Sequence, residues 1–313
     1  MLTLAVPTFN RASVLSKTLA SLFNITSSLP SVEIVVCDNA STDQTRRVCE
    51  GFLGKGNFRY IRNDANLGAD ANYLKCVANS CSDYMWIMGD DDEIDASAVA
   101  KVLTHIERHR PSMIVVNGTT HGGRRRIDAS QGVEIHDSFD VFFRKYGYHF
   151  SWITSTILKR SGLRQLDAAE IVRSRNFIHL GLELKNFLDG GKFLVDLEPL
   201  ISQRSESVSE YVAHSDKLVD IFGASLCRIV DMFHPALSRL SSKDFLMQHY
   251  YRYGMFDTNF FLKARLDGSL TRKAFFANLK YLRRISRDWL TGMAIFILPR
   301  TVVEMASGQG SKA

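Results

Sequence analysis

Tyr84-Met85-Trp86-Ile87-Met88-Gly89-Asp90-Asp91-Asp92 is the stretch on which the fold turns: five apolar residues, a glycine, then three carboxylates. A continuous apolar run of this length reads as a strand buried on both faces, as strands of a parallel sheet are. Upstream, Leu2 to Val6 is a similar run ended by Pro7, Val32 to Cys37 is rich in β-branched residues, and Phe58 to Ile61 is a fourth candidate. Helical periodicity separates them. Val14, Leu15, Leu19, Leu22 and Phe23 recur at three- and four-residue spacing, and Ser41-Thr42-Asp43-Gln44 has the form of a capping box opening a helix to about Leu53. A turn at Asn66-Leu67-Gly68 precedes a helix over Ala69 to Ala78; downstream come a helix from about Ala96 to His109 and a strand from Met113 to Val116. This alternation predicts an α/β fold, a mostly parallel, Rossmann-like sheet with helices on both faces. Ligands of such sheets bind beyond the carboxyl ends of the strands, which is where Thr8-Phe9-Asn10, Asp38-Asn39 and Asp90-Asp91-Asp92 fall.

Composition agrees with a folded chain and excludes disordered, collagenous and disulfide-scaffold classes. Of 313 residues, 45% are hydrophobic and 23% charged. No run of about 18 apolar residues reads as a membrane span. Met1 to Pro7 lacks the charged start and long apolar stretch of a signal peptide, so a cytoplasmic chain is expected. Five cysteines without metal-ligand spacing are expected to be reduced and structural. Charge is unevenly spread: the first 238 residues carry 26 Lys and Arg against 28 Asp and Glu, and the rest 13 against 5. A basic tail on a near-neutral body calls for a local anionic partner.

After Asn117 the pattern weakens. Gly118 to Gly132 reads as a loop or hairpin. An aromatic stretch (Phe142, Phe143, Tyr146, Tyr148, Phe150, Trp152) reads mainly as core, followed by a strand over Ile153 to Leu158, a helix near Asn176 to Leu188 and a strand over Phe193 to Leu197. Residues from Asp216 to Ala306 read as helical. The organisation expected is 1–117 as a donor-binding half, 118–210 as an acceptor-binding and catalytic half of the same domain, and 211–313 as a helical, basic extension.

Three adjacent carboxylates repel one another, and a divalent cation offsets that cost. Hard oxygen ligands suit Mg²⁺ or Mn²⁺. The competing reading is a solvated acidic turn ahead of the next helix. Neither GxGxxG nor GxxxxGK[ST] occurs, which disfavours a dinucleotide dehydrogenase and a P-loop NTPase. A nucleotide site remains, with Asp38 accepting from a base N–H, backbone at Pro7 to Phe9 framing the base, and a metal at the triplet bridging a diphosphate.

Val6-Pro7-Thr8-Phe9-Asn10-Arg11, Asp38-Asn39-Ala40-Ser41-Thr42-Asp43, Asn66-Leu67-Gly68 with Asn72, and Gly89-Asp90-Asp91-Asp92, in this order and spacing, resemble the family 2 glycosyltransferases of GT-A fold. Within them the chain is most similar to the abequosyltransferase-like sugar transferases of lipopolysaccharide O-antigen assembly. The resemblance implies that Thr8, Phe9 and Asp38 contact the base, that Asn10, Asn66 and Gly68 surround the nucleoside, and that Asp91, with Asp90, meets ribose or phosphate. It further implies that Asp92, aided by Asp90, ligates Mn²⁺ or Mg²⁺. Gly89 stands where many relatives have an Asp, which puts the strength of metal binding in question.

Many relatives also carry a Glu-Asp pair in the second half that is absent here; the resemblance to the abequosyltransferase-like sequences, which carry a His at the block Asn176 to Leu180, implies His179 as the base, grouped with Asp91 as catalytic, with Asp167 and Glu170 as substitutes. A histidine near pKa 6.5 suits that work, although a lone histidine on an apolar face is also an ordinary core residue. Arg204 is expected to contact a pyrophosphate or the acceptor, with a plain surface arginine as the alternative. Implied partners are a UDP- or CDP-sugar and a polyprenyl-linked saccharide acceptor, with no nucleic acid. Lys280, Arg283, Arg284 and Arg287 beside Trp289-Leu290 and Met293 to Leu298 resemble an interfacial segment on the anionic cytoplasmic face of a membrane; the alternative is a helix packed on the enzyme. A catalytically inactive nucleotide-binding scaffold is the rival to the transferase.

Overall fold

The computed structural model describes residues 1–120, 122–129, 131–204 and 214–307. The expected boundary at 210/211 lies outside them. In chain order the first half comprises β1 (Leu2–Thr8), α1 (Ala12–Thr26), β2 (Val32–Asp38), α2 (Thr45–Glu50), β3 (Phe58–Arg62), α3 (Ala69–Asn79), β4 (Tyr84–Ile87), β5 (Asp92–Ile94), α4 (Ala98–His109) and β6 (Met113–Thr119). Then come β7 (Val133–His136), α5 (Phe139–Tyr146), β8 (Thr156–Lys159), α6 (Ala168–Arg173), α7 (Ile178–Phe187) and β9 (Phe193–Gln203). These strands form one nine-stranded sheet in the order β3-β2-β1-β4-β8-β6-β9-β5, with β7 on β9.

The first four strands in this order are parallel, and every residue of β2 is buried. Burial on both faces explains the mainly apolar sequences of β1, β2 and β4, whereas the edge strand β3 is only partly buried. Beyond β4 the sheet is mixed rather than mostly parallel: β4 and β6 pair β8 antiparallel, and β5 and β7 pair β9 antiparallel, while β6 and β9 are parallel. No crossover helix is needed where strands run antiparallel. Two strands, β5 and β7, were not expected, and the one expected at Phe193 is longer than the sequence suggested. β5 begins at the last triplet aspartate, with Asp92 opposite Gln203, and β9 runs 11 residues instead of stopping at Leu197.

The core under the N-terminal strands gathers Leu4, Val6, Leu15, Leu19, Ile34, Val36 and Trp86, all nearly inaccessible. The capping box expected at Ser41 to Gln44 does not form. α2 starts only at Thr45, because the Ser41 hydroxyl is taken by the Asn10 N–H at 2.8 Å. All five cysteines are free, and only Cys81 is exposed.

The chain divides into two compact units, the first comprising 1–142, 149–171 and 177–207, the second 143–148, 172–176 and 208–313. The second unit is helical: α8 (Ser215–Leu218), a π-helical stretch (Val219–Ser225), α9 (Leu226–Met232), α10 (Arg239–Tyr253), α11 (Thr258–Leu266), α12 (Arg272–Ile285), α13 (Trp289–Ile297) and α14 (Arg300–Ala306). Phe275 and Phe296 stack at 4.5 Å in its core, and a Cβ on Gly292 would come within 2.7 Å of the Phe261 ring, so α13 packs closely on α11. The packed-helix reading thus holds for one face of α13, while Leu290, Ile297 and Leu298 remain exposed. No single helix among the described residues is long and apolar enough to cross a membrane; α13 and α14 pass that test only as a pair bent by 120°.

Candidate active site

The acid triplet follows directly on β4, where hydrogen bonds from two directions fix it. The Gly89 N–H donates to Thr154 Oγ1 at 2.9 Å, the Thr154 hydroxyl donates to Asp92 Oδ2, and Trp152 Nε1–H donates to the same oxygen at 2.8 Å. From β1, the Thr8 hydroxyl donates to Asp90 Oδ2 at 2.7 Å. Arg11 supplies the cation: its Nη2 donates to Asp91 Oδ2 at 2.7 Å, and its Nε lies 3.2 Å from Asp90 Oδ1. Burial pushes Asp90 up to about 6, against the pull of Arg11 and Thr8. Asp92 is pushed up to about 7, mainly by burial and further by Asp91, against Thr154 and Trp152. Arg11 thus offsets part of the repulsion among the triplet carboxylates.

The donor set nevertheless fits Mg²⁺ or Mn²⁺. Gly89 leaves open space against the carboxylates: a Cβ there would stand 2.9 Å from Asp92 Oδ2 and 3.0 Å from Asp91 Oδ1. A side chain at this position would require the Asp91 and Asp92 carboxylates to shift. Asp90 is less suited to the metal role expected of it, because both its oxygens are engaged by Thr8 and Arg11. No cluster of three or more metal-ligating side chains occurs among the described residues, and Mg²⁺ commonly takes only one or two carboxylates beside substrate phosphates.

The loops after β1 and β2 are stitched together. Asn10 and Ala40 both adopt left-handed backbone (φ 53° and 63°), a conformation costly for alanine that persists only where surroundings enforce it. The Thr42 N–H donates to Asn10 Oδ1 at 2.7 Å. Asp38 is fully buried and holds its own loop, accepting from the Ser41 N–H at 2.9 Å and the Tyr60 hydroxyl at 2.7 Å, with Arg62 at 3.4 Å. Asn39 extends the stitching to the third loop: its Nδ2 donates to Asn66 Oδ1 at 2.8 Å, and its Oδ1 accepts from the Leu67 N–H and from Asn63. Gly68 (φ 84°) starts α3, where a side chain would be strained. Phe9, 40% exposed, and Asn66 stand on the surface of these loops, with Pro7 half-buried beneath.

Other expected residues lie in different surroundings. His179 is buried, packed 5.8 Å from the Tyr73 ring and 5.7 Å from Phe177, with Nε2 against the Phe150 carbonyl at 2.7 Å. Burial pushes it down to about 4, so the expected titration near neutrality is corrected. Asp167 and Glu170 cap α6 reciprocally, each accepting the other's backbone N–H (2.8 and 2.9 Å), and Glu170 also pairs with Lys185. They serve the helix end. Arg204 is not a surface arginine: only 9% of its side chain is exposed, with Nε on Glu93 at 2.9 Å and Nη1 donating to Thr18 Oγ1 at 3.0 Å. The Thr18 hydroxyl in turn donates to the Asp90 carbonyl at 2.6 Å, so Arg204 buttresses the triplet from behind. Sequence reasoning missed Arg126, whose guanidinium lies 4.4 Å over the Trp152 ring and whose charge acts on Asp92. It also missed Trp152 and Thr154 as holders of Asp92, since side-chain pairings 60 and 62 residues apart leave no local signal.

Residues 3–167 match the family model described as glycosyl transferase family 2. The chain belongs to that family. It is 35% identical to the abequosyltransferase RfbV of Salmonella typhimurium over 109 residues, 34% of this chain and 33% of that protein. It is also 38% identical to the validoxylamine A glucosyltransferase of Streptomyces hygroscopicus over 61 residues, 20% of this chain and 14% of the relative. The alignments thus span a third or less of these relatives' length. Among solved structures, TarS of S. aureus in complex with UDP-GlcNAc covers 99% of this chain and 93% of its own at TM-score 0.62 and 16% identity. The mannosyltransferase PcManGT of Pyrobaculum calidifontis, in complex with GDP-Man and Mn²⁺, covers 100% and 88% at TM-score 0.53 and 12% identity. At these identities the likeness is one of fold, and the fold shared is that of the GT-A glycosyltransferases.

Proposed function

We propose that this family 2 chain transfers a sugar from a nucleoside diphosphate sugar to a hydroxyl of a growing bacterial surface glycan, by single displacement with inversion. The observation that carries the reading is that the polar loops after β1, β2 and β4 lie at one edge of the sheet, the first bonded to the second through Asn10 and Ser41 and to the acid triplet through Thr8. Residues 1–117 would bind the donor and 118–210 the acceptor. Thr8, Phe9 and the Asp38 loop would frame the base, and Asn10, Asn66 and Gly68 would shape the nucleoside pocket. Asp91 and Asp92 would hold a divalent ion, which when bound supplies positive charge for the departing diphosphate. Trp152 and Thr154 keep Asp92 oriented, and Arg126 and Arg11 offer guanidinium groups to phosphate oxygens.

A UDP- or CDP-sugar is the preferred donor; the GDP-Man complex of the archaeal fold relative keeps GDP in the comparison. The 35% identity to an abequosyltransferase supports an O-antigen type of acceptor, and a polyprenyl-linked saccharide on the cytoplasmic face of a membrane suits the basic second unit. The test is a thermal-shift panel of UDP, CDP, GDP and TDP with and without Mn²⁺, followed by donor hydrolysis. Metal-dependent stabilisation by one nucleotide, with turnover of its sugar, is expected. Binding without turnover in the presence of acceptor lipid would favour the scaffold, and no binding at all would sink the nucleotide-site assignment.

A further inference from the structure

The second unit contains a cavity of about 710 Å³ between α9, α10, α12 and α13. Five Lys and Arg side chains line it against one carboxylate. That carboxylate, Asp231, is spent: it takes both terminal nitrogens of Arg284 at 2.8 Å. Arg239 Nε donates to His234 Nε2 at 3.4 Å. Lys243, Arg283, Arg287 and Arg239 make no ion pair with a carboxylate among the described residues; Arg283 and Arg287 instead lie over the Trp289 and Tyr251 rings at 5.0 and 4.8 Å. Like charges gathered round a concavity raise its positive potential and favour an anion there. A second observation points the same way. Ser242 lines the cavity, is 9% exposed, and its buried hydroxyl has no hydrogen-bond partner, although a helical serine has a carbonyl one turn back within reach.

We infer that this cavity is a binding site for a phosphate or diphosphate group, separate from the nucleotide-sugar site and independent of the transfer reading. Lys243 and Arg239 on α10 and Arg283 and Arg287 on α12 and after it supply the charge, Ser242 donates to a phosphoryl oxygen, and Trp289 with Leu246 offers an apolar wall for whatever carries the phosphate. The carrier can be a soluble phosphate compound or a lipid head group, and the exposed Leu290 next to Trp289, with Ile297 and Leu298 exposed at the far end of α13, suits the lipid.

The test uses the full chain and inorganic pyrophosphate by titration calorimetry without added divalent metal. Ser242→Ala, which removes only the hydroxyl, is expected to weaken binding by about threefold, and Lys243→Glu with Arg287→Glu by tenfold or more, on the order of a lost charge-assisted hydrogen bond or two. Retained melting temperature of Ser242→Ala keeps the result interpretable should the charge reversal unfold the helices. The second arm is co-sedimentation with phosphatidylcholine vesicles, with and without about one-fifth phosphatidic acid, in the presence or absence of pyrophosphate. Capture by the acidic vesicles that pyrophosphate competes away identifies a lipid head group; pyrophosphate binding without vesicle capture identifies a soluble phosphate. Absence of pyrophosphate binding, or binding that neither variant changes, overturns the site, as does vesicle capture indifferent to pyrophosphate, which diffuse surface charge explains.

Discussion

Two charged clusters in this protein are built on opposite plans. The acid triplet in the first unit is compensated: Arg11 lies across two of its carboxylates, Thr8, Thr154 and Trp152 donate to them, and burial raises the proton affinity of Asp90 and Asp92. The basic cavity in the second unit is not, since its single acid is occupied by Arg284. A compensated cluster binds a new ion by exchange, releasing a proton or displacing a guanidinium, whereas an uncompensated one binds by capture. Exchange carries a pH signature and capture a salt signature.

The contrast breaks most readily at Asp92. Asp92→Ala removes the acceptor of the Trp152 and Thr154 donors along with the carboxylate proposed to face the metal, and donor turnover should fall by about a thousandfold. Mn²⁺-dependent turnover that survives the substitution would end the exchange picture. In the wild type, metal affinity should rise with pH through about 6 to 7, because ligands that are protonated at low pH must lose their protons to bind. A flat metal titration between pH 5.5 and 8, read by calorimetry, contradicts it.

Glu183 sharpens the same comparison, as an acid with neither cation nor metal. It is fully buried, accepts among the described residues only from the Thr156 hydroxyl at 2.9 Å, and burial pushes it up to about 8. Its folded pKa lies above the unfolded one, so its contribution is fully present below about 4.5 and is lost as pH rises to about 8. Within that window the loss runs at about 1.4 kcal/mol per pH unit. Glu183→Gln, which mimics the protonated acid, should flatten that slope in denaturant titrations and be the more stable protein at pH 9. Parallel slopes in the two proteins would mean that Glu183 is not held protonated.

At Arg11 the expected effect is smaller. Arg11→Gln frees Asp91 Oδ2 and Asp90 Oδ1 from their guanidinium, so Mn²⁺ binding without nucleotide should tighten by about three- to tenfold, the worth of one partly exposed charge pair. Weaker Mn²⁺ binding in the variant would show that Arg11 shapes the cluster rather than competes for it.

Most of the parallel half was legible because β1, β2 and β4 are mainly apolar and end at polar loops, a pattern fixed by burial on both faces. β5 was not. A three-residue strand over Asp92–Ile94 owes its existence to β9, more than 100 residues later. The site divided on the same line. Residues within each loop could be named from the chain, but Arg11 as the cation of the triplet, Trp152 as the holder of Asp92 and Arg126 over Trp152 follow from tertiary pairing alone. Trp152 fits the core reading by burial, at 7% exposure, and departs from it in spending its N–H on a carboxylate.

His179 carries the smallest predicted effect and the sharpest choice between readings. A general base must be accessible and must hold a proton near the working pH. This imidazole is 8% exposed, is pushed down to about 4 by burial, and has Nε2 turned to the Phe150 carbonyl between aromatic rings. Those are the attributes of a packing residue whose ring N–H satisfies a buried carbonyl. A glutamine can place its amide N–H where Nε2 sits, so His179→Gln should keep the bond to Phe150, lose part of the ring packing, and lower stability by about 1 to 3 kcal/mol. Turnover, measured at saturating donor below the variant's melting temperature, should stay within about threefold of the wild type, against the hundredfold or more expected for loss of a general base. A large drop in kcat in a stable His179→Gln protein would mean that the imidazole becomes exposed during the reaction cycle, and that the compensated triplet works beside a base which this conformation keeps covered.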